Sequence, residues 1–209
     1  MTATTLRMFC FALAGTFALH AGTVAVDLTS PGSEYGGGPW TLGFAFSPVV
    51  NISVTALGVY DSGQDGIADI ATVGIWDTNG NLLTSGQVPS GTGGTLLGDF
   101  RYVSITPFDL TAGTEYVVGS YLADTASSLN TGQGGTGSFD PSITVIEDRY
   151  VGSGAFAYPS QNSATAGAWL GANFQFSDTE AAPEPGAFVL VAGGLGALLM
   201  RRLRRSRAF

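Results

Sequence analysis

Short runs of residues that alternate between apolar and polar recur along the middle of this 209-residue chain, with Gly, Pro, Asn and Asp between them. Successive side chains of an extended strand point to opposite faces, so an alternation of period two favours strands that bury one face. Runs of this kind separated by turn residues are typical of all-β domains. The expected strands are residues 24–28, 40–47, 52–60, 70–77, 81–88, 100–105, 115–122, 143–151 and 169–177.

Two turns add detail to this pattern. Asn79-Gly80 separates two of the expected strands, and because both residue types tolerate positive φ the pair predicts a two-residue hairpin turn. Residues 111–114 form a turn before Tyr116, an arrangement typical of the tyrosine corner of β-sandwiches. No amphipathic helical run lies between the strands. We therefore predict an all-β domain over residues 26–177, a two-sheet antiparallel β-sandwich of the jelly-roll or immunoglobulin-like kind, with a partly open barrel as the alternative.

The residues that are absent exclude many enzyme classes. The single histidine, His20, and the single cysteine, Cys10, both lie near the N-terminus, and the chain contains no lysine. The predicted domain therefore lacks a disulfide, a thiol nucleophile, a histidine-based triad and nitrogen or sulfur ligands for a metal. Carboxylates, hydroxyls, two arginines and the backbone are the chemistry that remains.

The predicted domain is strongly acidic. Fifteen Asp and Glu residues lie between Asp27 and Glu180, against the basic residues Arg101 and Arg149, so this part carries about −13 while the whole chain carries −8. A surface of that charge repels phosphate groups. Nucleic acid and anionic lipid are therefore unfavourable partners.

Residues 1–25 have the pattern of a secretory signal peptide. Arg7 supplies the positive start, residues 8–19 are an apolar stretch of suitable length, and small residues follow. Signal peptidase would cleave at Thr23-Val24-Ala25 or near Ala21. The segment predicts export from the cytoplasm, with an uncleaved N-terminal anchor as the alternative.

The C-terminus has three parts in order. An acidic, small-residue linker over residues 178–185 ends in Pro183-Glu184-Pro185, an apolar run covers residues 186–203, and a basic tail covers residues 204–209. Hydrocarbon offers the backbone no hydrogen-bond partners, so the apolar run would cross a membrane as a helix. Arginines favour the cytoplasmic side.

This tail resembles the PEP-CTERM sorting signal of bacteria, which consists of a Pro-Glu-Pro motif, a short membrane helix and a basic end. The matching residues are Pro183, Glu184 and Pro185, the Gly-Leu-Gly of residues 194–196 and the five arginines after Met200. The resemblance implies cleavage near the motif by an exosortase-type membrane peptidase, followed by release or transfer of the protein. A permanent single-pass anchor and a buried globular helix are the alternatives.

The middle of the chain resembles an uncharacterised bacterial β-sandwich domain of unknown function. The similarity covers residues 40–122 and rests on Leu42-Gly43-Phe44, Val73-Gly74-Ile75-Trp76-Asp77, Ala112-Gly113-Thr114 and Tyr116-Val117-Val118. Such domains occur in secreted, often carbohydrate-associated, proteins. The resemblance supports the fold and implies no catalytic residue.

Three aspartates at a four-residue spacing suggest a calcium site. Asp61, Asp65 and Asp69 surround Gly66 between two expected strands. Carboxylates that converge in this way suit Ca²⁺, which takes six to eight oxygen ligands. The pattern departs from an EF-hand loop at Gly63 and Thr72, and an ordinary Asp/Gly turn is the alternative.

Glu147 and Asp148 raise the possibility of glycoside hydrolysis, which needs two carboxyl groups facing each other across a cleft. Neighbours in a strand point to opposite faces, so these two cannot be that pair. Asp140, Asp124 or Asp99 would have to supply the second group. Solvated charges, with Arg149 in a surface ion pair, are the alternative.

Several aromatic residues are candidates for stacking on a polysaccharide. Tyr35 and Trp40 flank three glycines, and Tyr158 lies among Pro, Ser and Asn, so these three are expected in an exposed platform, with simple packing as the alternative. Trp76 lies in an apolar strand and is expected in the core.

We therefore expect an exported cell-surface or extracellular-matrix protein with a binding or structural role and no enzymatic activity. Signal peptidase, an exosortase-type peptidase and the membrane are the expected partners. The alternatives are a carboxylate-dependent glycoside hydrolase or lyase and a calcium-stabilised carbohydrate-binding adhesin.

Overall fold

The computed structural model of the chain describes residues 22–35, 39–122, 128–130, 136–163 and 167–179. This part is all-β, with a single short 3₁₀ turn at Ser62–Gln64. Its strands are β1 (Thr23–Val24), β2 (Val26–Ser30), β3 (Ser33–Tyr35), β4 (Trp40–Pro48), β5 (Ile52–Tyr60), β6 (Ala71–Asp77), β7 (Leu82–Val88), β8 (Thr95–Leu97), β9 (Phe100–Leu110), β10 (Tyr116–Leu122), β11 (Ser128–Asn130), β12 (Thr136–Phe139), β13 (Ile143–Gly152), β14 (Gln161–Asn162) and β15 (Ala172–Asp178).

Two antiparallel sheets make up the body of the domain. One has the order β1-β15-β5-β9-β8 and the other the order β14-β13-β4-β10-β6-β7, and the pairs β11–β3 and β12–β2 form two small sheets. The large sheets face each other across a common apolar core. In that core the rings of Phe46 from β4 and Phe174 from β15 lie 4.9 Å apart, centroid to centroid. The antiparallel all-β fold expected from the alternation is confirmed, and its layers are consistent with a β-sandwich.

The nine expected strands all overlap observed ones, because each was long enough to show the alternation. The structure adds the short strands β3, β8, β11, β12 and β14, which have two to four residues each. Runs of that length carry too little periodicity to separate them from loops.

The two predicted turns have different outcomes. The hydroxyl of Tyr116 accepts a hydrogen bond from the backbone N–H of Thr111 at 3.1 Å, so the tyrosine corner is confirmed. The two-residue hairpin at Asn79-Gly80 is wrong. Gly80 donates to the carbonyl of Asp77 at 3.1 Å and has a φ of +83°, and Asp77 donates to the carbonyl of Asn81, so the connection is the longer one of a type I turn with a bulge.

The outer face of the six-stranded sheet is covered by residues 154–160, a segment that we call the strap. Trp76 of β6 is buried there, with its ring 4.9 Å from that of Phe156 and 6.2 Å from that of Tyr158. Its neighbour Ile75 belongs to the core between the sheets, and successive side chains point to opposite faces. The expectation that Trp76 is a buried core residue is confirmed, and the strap buries it on the outer face of the sheet.

The two ends of the chain lie almost wholly outside the described residues. These ends include the signal peptide up to Ala21, the Pro183-Glu184-Pro185 motif, the predicted membrane helix over residues 186–203 and the basic tail. Among the residues that the structure does describe, no helix is long and apolar enough to cross a membrane.

Candidate functional site

Of the three aromatic residues expected to form a platform, the structure describes the side chains of Trp40 and Tyr158, and these two lie in different contacts. Trp40 is half-buried and packs at 6.0 Å from the ring of Tyr150, while Tyr158 is half-buried in the strap and donates a hydrogen bond to the carbonyl of Thr78. Tyr35 lies in β3, and its side chain is outside the described part. Trp40 and Tyr158 therefore pack in separate aromatic groups.

Asp61 belongs to a buried ion pair. Its carboxylate, 1% exposed, accepts a hydrogen bond from Nε of Arg101 at 2.5 Å and from the backbone N–H of Gly66 at 3.0 Å. Arg101 is 4% exposed and also donates to the carbonyls of Gln64 at 3.0 Å and Gly94 at 3.2 Å. The arginine therefore holds the loop after β5 against the loop that leads into β8, with its charge and most of its donors satisfied.

The other two aspartates of the predicted calcium site do not take part in this pair. Asp65 and Asp69 are exposed, whereas both oxygens of Asp61 are engaged by Arg101 and Gly66. Within the described ranges, no group of three or more His, Cys, Asp or Glu side chains is placed to hold a metal ion. The structure thus gives Asp61 a structural partner and does not bring the three carboxylates together.

The carboxylates considered for glycoside hydrolysis also have structural partners. Asp148 is fully buried and accepts hydrogen bonds from the backbone N–H groups of Gly167 at 2.9 Å and Ala168 at 3.0 Å. Glu147 points to the opposite face, where its carboxylate lies 2.7 Å from Nη2 of Arg149. The same nitrogen of Arg149 lies 3.2 Å from the carboxylate of Glu115. The expectation that Glu147 and Asp148 lie on opposite faces is therefore correct.

The remaining candidates for the second carboxylate are placed apart from these. Asp140 accepts a hydrogen bond from the backbone of Ser142 at 2.8 Å, in the turn that leads into β13. Asp99 accepts one from the side chain of Gln64 at 2.9 Å. Asp124 lies outside the described residues. The hydrogen bonds therefore assign Asp140 and Asp99 to turns and loops.

A cavity of about 360 Å³ lies between the β1–β2 segment and the β8–β9 hairpin. We call it the Tyr102 pocket. Its apolar walls come from Val24, Val26, Leu97 and Phe100, and its two polar side chains are Asp27 and Tyr102. The ring of Tyr102 lies over Gly58, its register partner on β5, where a Cβ atom would come within 2.5 Å of the ring. Only glycine at position 58 leaves room for the ring to lie across the sheet.

The hydroxyl of Tyr102 is a buried polar group without a partner. The residue is 3% exposed, and no described protein atom is within hydrogen-bond distance of its Oη. Burial, together with the negative charge of Asp27, raises the pKa of the Tyr102 phenol well above its usual value. The phenol is therefore neutral and keeps its proton at any physiological pH.

A buried side chain fixes the β1–β2 wall of the pocket. The side-chain oxygen of Asn173 accepts from the backbone N–H of Val26 at 3.1 Å, and its nitrogen donates to the Val26 carbonyl at 2.7 Å. Asn173 lies on β15 and is fully buried. The amide thereby satisfies both backbone groups of Val26 where the chain leaves the edge of the sheet.

With this geometry in view, the chain can be compared with known proteins. Residues 28–176 match a family described as a domain of unknown function, DUF4082. The chain belongs to the DUF4082 family. No curated protein and no solved structure matches the chain.

The DUF4082 match is wider than the similarity expected from residues 40–122, because it begins within β2, ends within β15 and includes every strand of the two large sheets except β1. Tyr102 and Asn173 lie inside it. Val24, Val26 and Asp27 precede it, so one wall of the Tyr102 pocket is contributed from outside the matched region of this DUF4082 protein.

Sequence reasoning missed the residues that organise the site. Arg101 carried a signal, since it is one of two basic residues in an acidic domain and an unpaired buried charge is costly. Asn173 and Tyr102 carried none, because a polar residue within a strand is equally typical of an exposed face. Asn173 acts on Val26, which is 147 positions earlier in the chain, and Tyr102 shares its cavity with Asp27, which is 75 positions earlier. The alternation along one strand gives no information about such distant pairs.

Proposed function

We propose that this DUF4082 protein is an exported cell-surface or extracellular-matrix component whose β-sandwich domain has a binding or structural role. The observation that carries the proposal is that the candidate catalytic carboxylates already have structural partners. Asp61 is paired with Arg101, Asp148 is bound by backbone N–H groups, and Glu147 lies against Arg149. A glycosidase needs one carboxylic acid and one free carboxylate across a cleft, and groups held in this way support a structural assignment.

The proposed route of delivery uses both ends of the chain. Signal peptidase would remove the N-terminus, and an exosortase-type peptidase would recognise Pro183-Glu184-Pro185 after the helix of residues 186–203 has entered the membrane. The acidic charge of the domain supports a solvated surface location. We further propose the jelly-roll or immunoglobulin-like form of the sandwich, which the tyrosine corner at Tyr116 supports.

The position of β1 favours one of the two N-terminal cleavage sites. Thr23 and Val24 pair with β15, and Ala25 is fully buried and donates its backbone N–H to the carbonyl of Phe174 at 3.0 Å. Cleavage after Ala25 would remove a strand of the five-stranded sheet. We therefore propose cleavage near Ala21, which leaves residues 22–25 in the domain.

Intact mass and membrane fractionation of the natively expressed protein test the delivery proposal. The wild type should lack both ends and leave the membrane, whereas Glu184→Ala should keep its C-terminus and stay in the membrane. Glu180→Ala is the matched control, because it removes a nearby carboxylate outside the Pro-Glu-Pro motif. A full-length C-terminus in the wild type and both variants would contradict sorting and indicate a permanent anchor.

Incubation of the purified domain with a panel of polysaccharides tests the absence of catalysis. We expect no new reducing ends. Turnover that is lost in Glu147→Gln or Asp148→Asn, but retained in Asp178→Asn, would contradict the binding or structural role and favour the glycosidase alternative.

A further inference from the structure

We propose that the Tyr102 pocket binds a small uncharged alcohol about the size of one sugar ring, with a ligand hydroxyl held between Tyr102 and Asp27. The inference deepens the proposed binding role and rests on it. It also stands on observations of its own, namely the size of the cavity, its lining and the buried hydroxyl of Tyr102.

The size and walls of the cavity suit such a molecule. Its volume of about 360 Å³ is at the small end of the range of ligand pockets, roughly 300 to 1,000 Å³. Val24, Val26, Leu97 and Phe100 provide apolar surface for the C–H face of a ring. A few polar groups among mostly apolar walls are the usual composition of a small-molecule site.

Tyr102 supplies the observation that points to a ligand. Buried polar side chains almost always have a hydrogen-bond partner, and leaving one without a partner destabilises the folded state. Tyr102 is 3% exposed, its hydroxyl has no partner in the described part of the chain, and the residue lines the cavity. A ligand atom that accepts a hydrogen bond would satisfy this donor.

Asp27 restricts the chemistry of that ligand. Asp27 lines the same cavity, and its carboxylate can only accept hydrogen bonds when ionised. A hydroxyl group serves both residues, since its oxygen accepts from Tyr102 while its proton is donated to Asp27. A carboxylate or phosphate would be repelled by Asp27 and by the acidic domain, and an ammonium group would leave the Tyr102 proton without an acceptor.

Three probes with the same ring distinguish these chemistries: trans-1,2-cyclohexanediol, cyclohexylamine and cyclohexanecarboxylate. Saturation-transfer NMR on the exported protein, purified as the host processes it, should show binding of the diol with a Kd in the millimolar range expected for so small a molecule. The carboxylate should not bind. Tighter binding of the amine than of the diol, or binding of none of the three, would overturn the proposal.

Two variants and a control locate the binding. Tyr102→Phe should weaken diol binding about tenfold, because it removes one hydrogen bond and leaves the cavity walls in place. Asp27→Asn should weaken it less, since an amide oxygen still accepts. Tyr121→Phe, which changes a tyrosine that does not line the pocket, should leave it unchanged. Equal affinity of the wild type and Tyr102→Phe would overturn the assignment.

The intact mass of the same sample separates this inference from the proposed delivery. The pocket requires Gly22 and Val24, so a processed chain that begins at Val26 would overturn it. If the C-terminus is retained and the diol binds, the sorting proposal is contradicted and the proposal of a ligand in the Tyr102 pocket is supported. Correct sorting without diol binding would contradict the pocket alone.

Discussion

The outer faces of the two large sheets are covered in different ways. On the six-stranded sheet the strap packs directly on the strands. A Cβ atom at Gly74 would lie 2.6 Å from the ring of Phe156, and one at Gly119 would lie 3.3 Å from Pro159. The strap therefore approaches the sheet as closely as it does because these positions have no side chain.

On the five-stranded sheet the covering segment combines buried apolar side chains, Ala25, Val26 and Leu28, with side-chain hydrogen bonds to its backbone. Asn173 binds both backbone groups of Val26, and the Tyr102 pocket remains between this segment and the β8–β9 hairpin. The comparison indicates that side chains packed over glycine seal one face. On the other face, a pair of side-chain hydrogen bonds at one residue fixes the segment and leaves a cavity beside it.

The largest effect is expected for Asn173→Ala. The change leaves the N–H and C=O of Val26 buried without partners, which should cost about 3 kcal/mol in the free energy of unfolding. Urea denaturation measures the loss, and hydrogen exchange should show faster exchange at Val26 than in the strap. Gln175→Ala, two residues along the same strand, is the control. An equal loss of stability in both variants would contradict a specific role of the Asn173 hydrogen bonds to Val26.

Gly74→Val should have the next largest effect and act on the other face. Its side chain would overlap Phe156 and Leu82, and overpacking of this kind should cost about 2 kcal/mol. Fluorescence of Trp76, with Trp40 and Trp169 replaced by Phe, should report displacement of the strap. Gly154→Ala is the control, because a Cβ atom there meets nothing within 4 Å. Unchanged Trp76 fluorescence in Gly74→Val would argue against a closely packed strap.

Tyr102→Phe should stabilise the protein by about 1 kcal/mol, since it removes a buried hydroxyl that has no partner and keeps the ring. The matched control is Tyr116→Phe, which should destabilise by about the same amount because its hydroxyl accepts from Thr111. Thermal and urea unfolding of the two variants measure the difference in sign. Equal destabilisation would mean that Tyr102 is already satisfied in the folded protein.

The smallest effect concerns the hairpin next to the strap. The side chain and backbone of Asn81 donate to Asp77 and lower the pKa of this carboxyl below 3.8. Because the pKa is lower in the folded state, Asp77 stabilises the protein above pH 3.8, and the contribution is lost as the pH falls through the folded pKa. Asp77 is exposed, so solvent screening keeps the effect small.

Melting temperatures measured from neutral pH to acid should therefore fall slightly more for the wild type than for Asp77→Asn. Asn81→Ala should lie between the two, since it removes the strongest hydrogen bond to Asp77 and keeps the carboxyl group. Identical pH profiles for the three proteins would show that the hydrogen bonds between Asn81 and Asp77 do not contribute to the stability of the protein.

Local pattern was sufficient for part of this fold and of its site. Period-two alternation identified β4, β5 and the other long strands, and the spacing of Thr111 and Tyr116 identified the tyrosine corner, because these features depend on neighbours in the chain. The hairpin after Asp77 was predicted with the wrong length, since Asn-Gly also suits a longer turn in which glycine alone has positive φ.

The candidate site was not predictable in the same way. The spacing of Asp61, Asp65 and Asp69 suggested convergence on a cation, but Arg101, forty residues from Asp61, takes up the first carboxylate. Two of the aromatic residues expected to be exposed, Trp40 and Tyr158, are partly buried, because Trp40 packs against Tyr150 of β13 and Tyr158 packs in the strap against Trp76. Distant partners of this kind are invisible to a local pattern.

Composition and periodicity thus dictate an acidic, all-β domain without histidine, cysteine or lysine, since charge, residue type and alternation are properties of the chain itself. Three features are properties of the packed sheets instead: the ion pair of Asp61 and Arg101, the hydrogen bonds of Asn173 to Val26, and the buried hydroxyl of Tyr102 that has no partner. They depend on which side chains meet after two sheets have closed on each other, and burial then determines whether a polar group is a structural bond or an unsatisfied site open to a ligand.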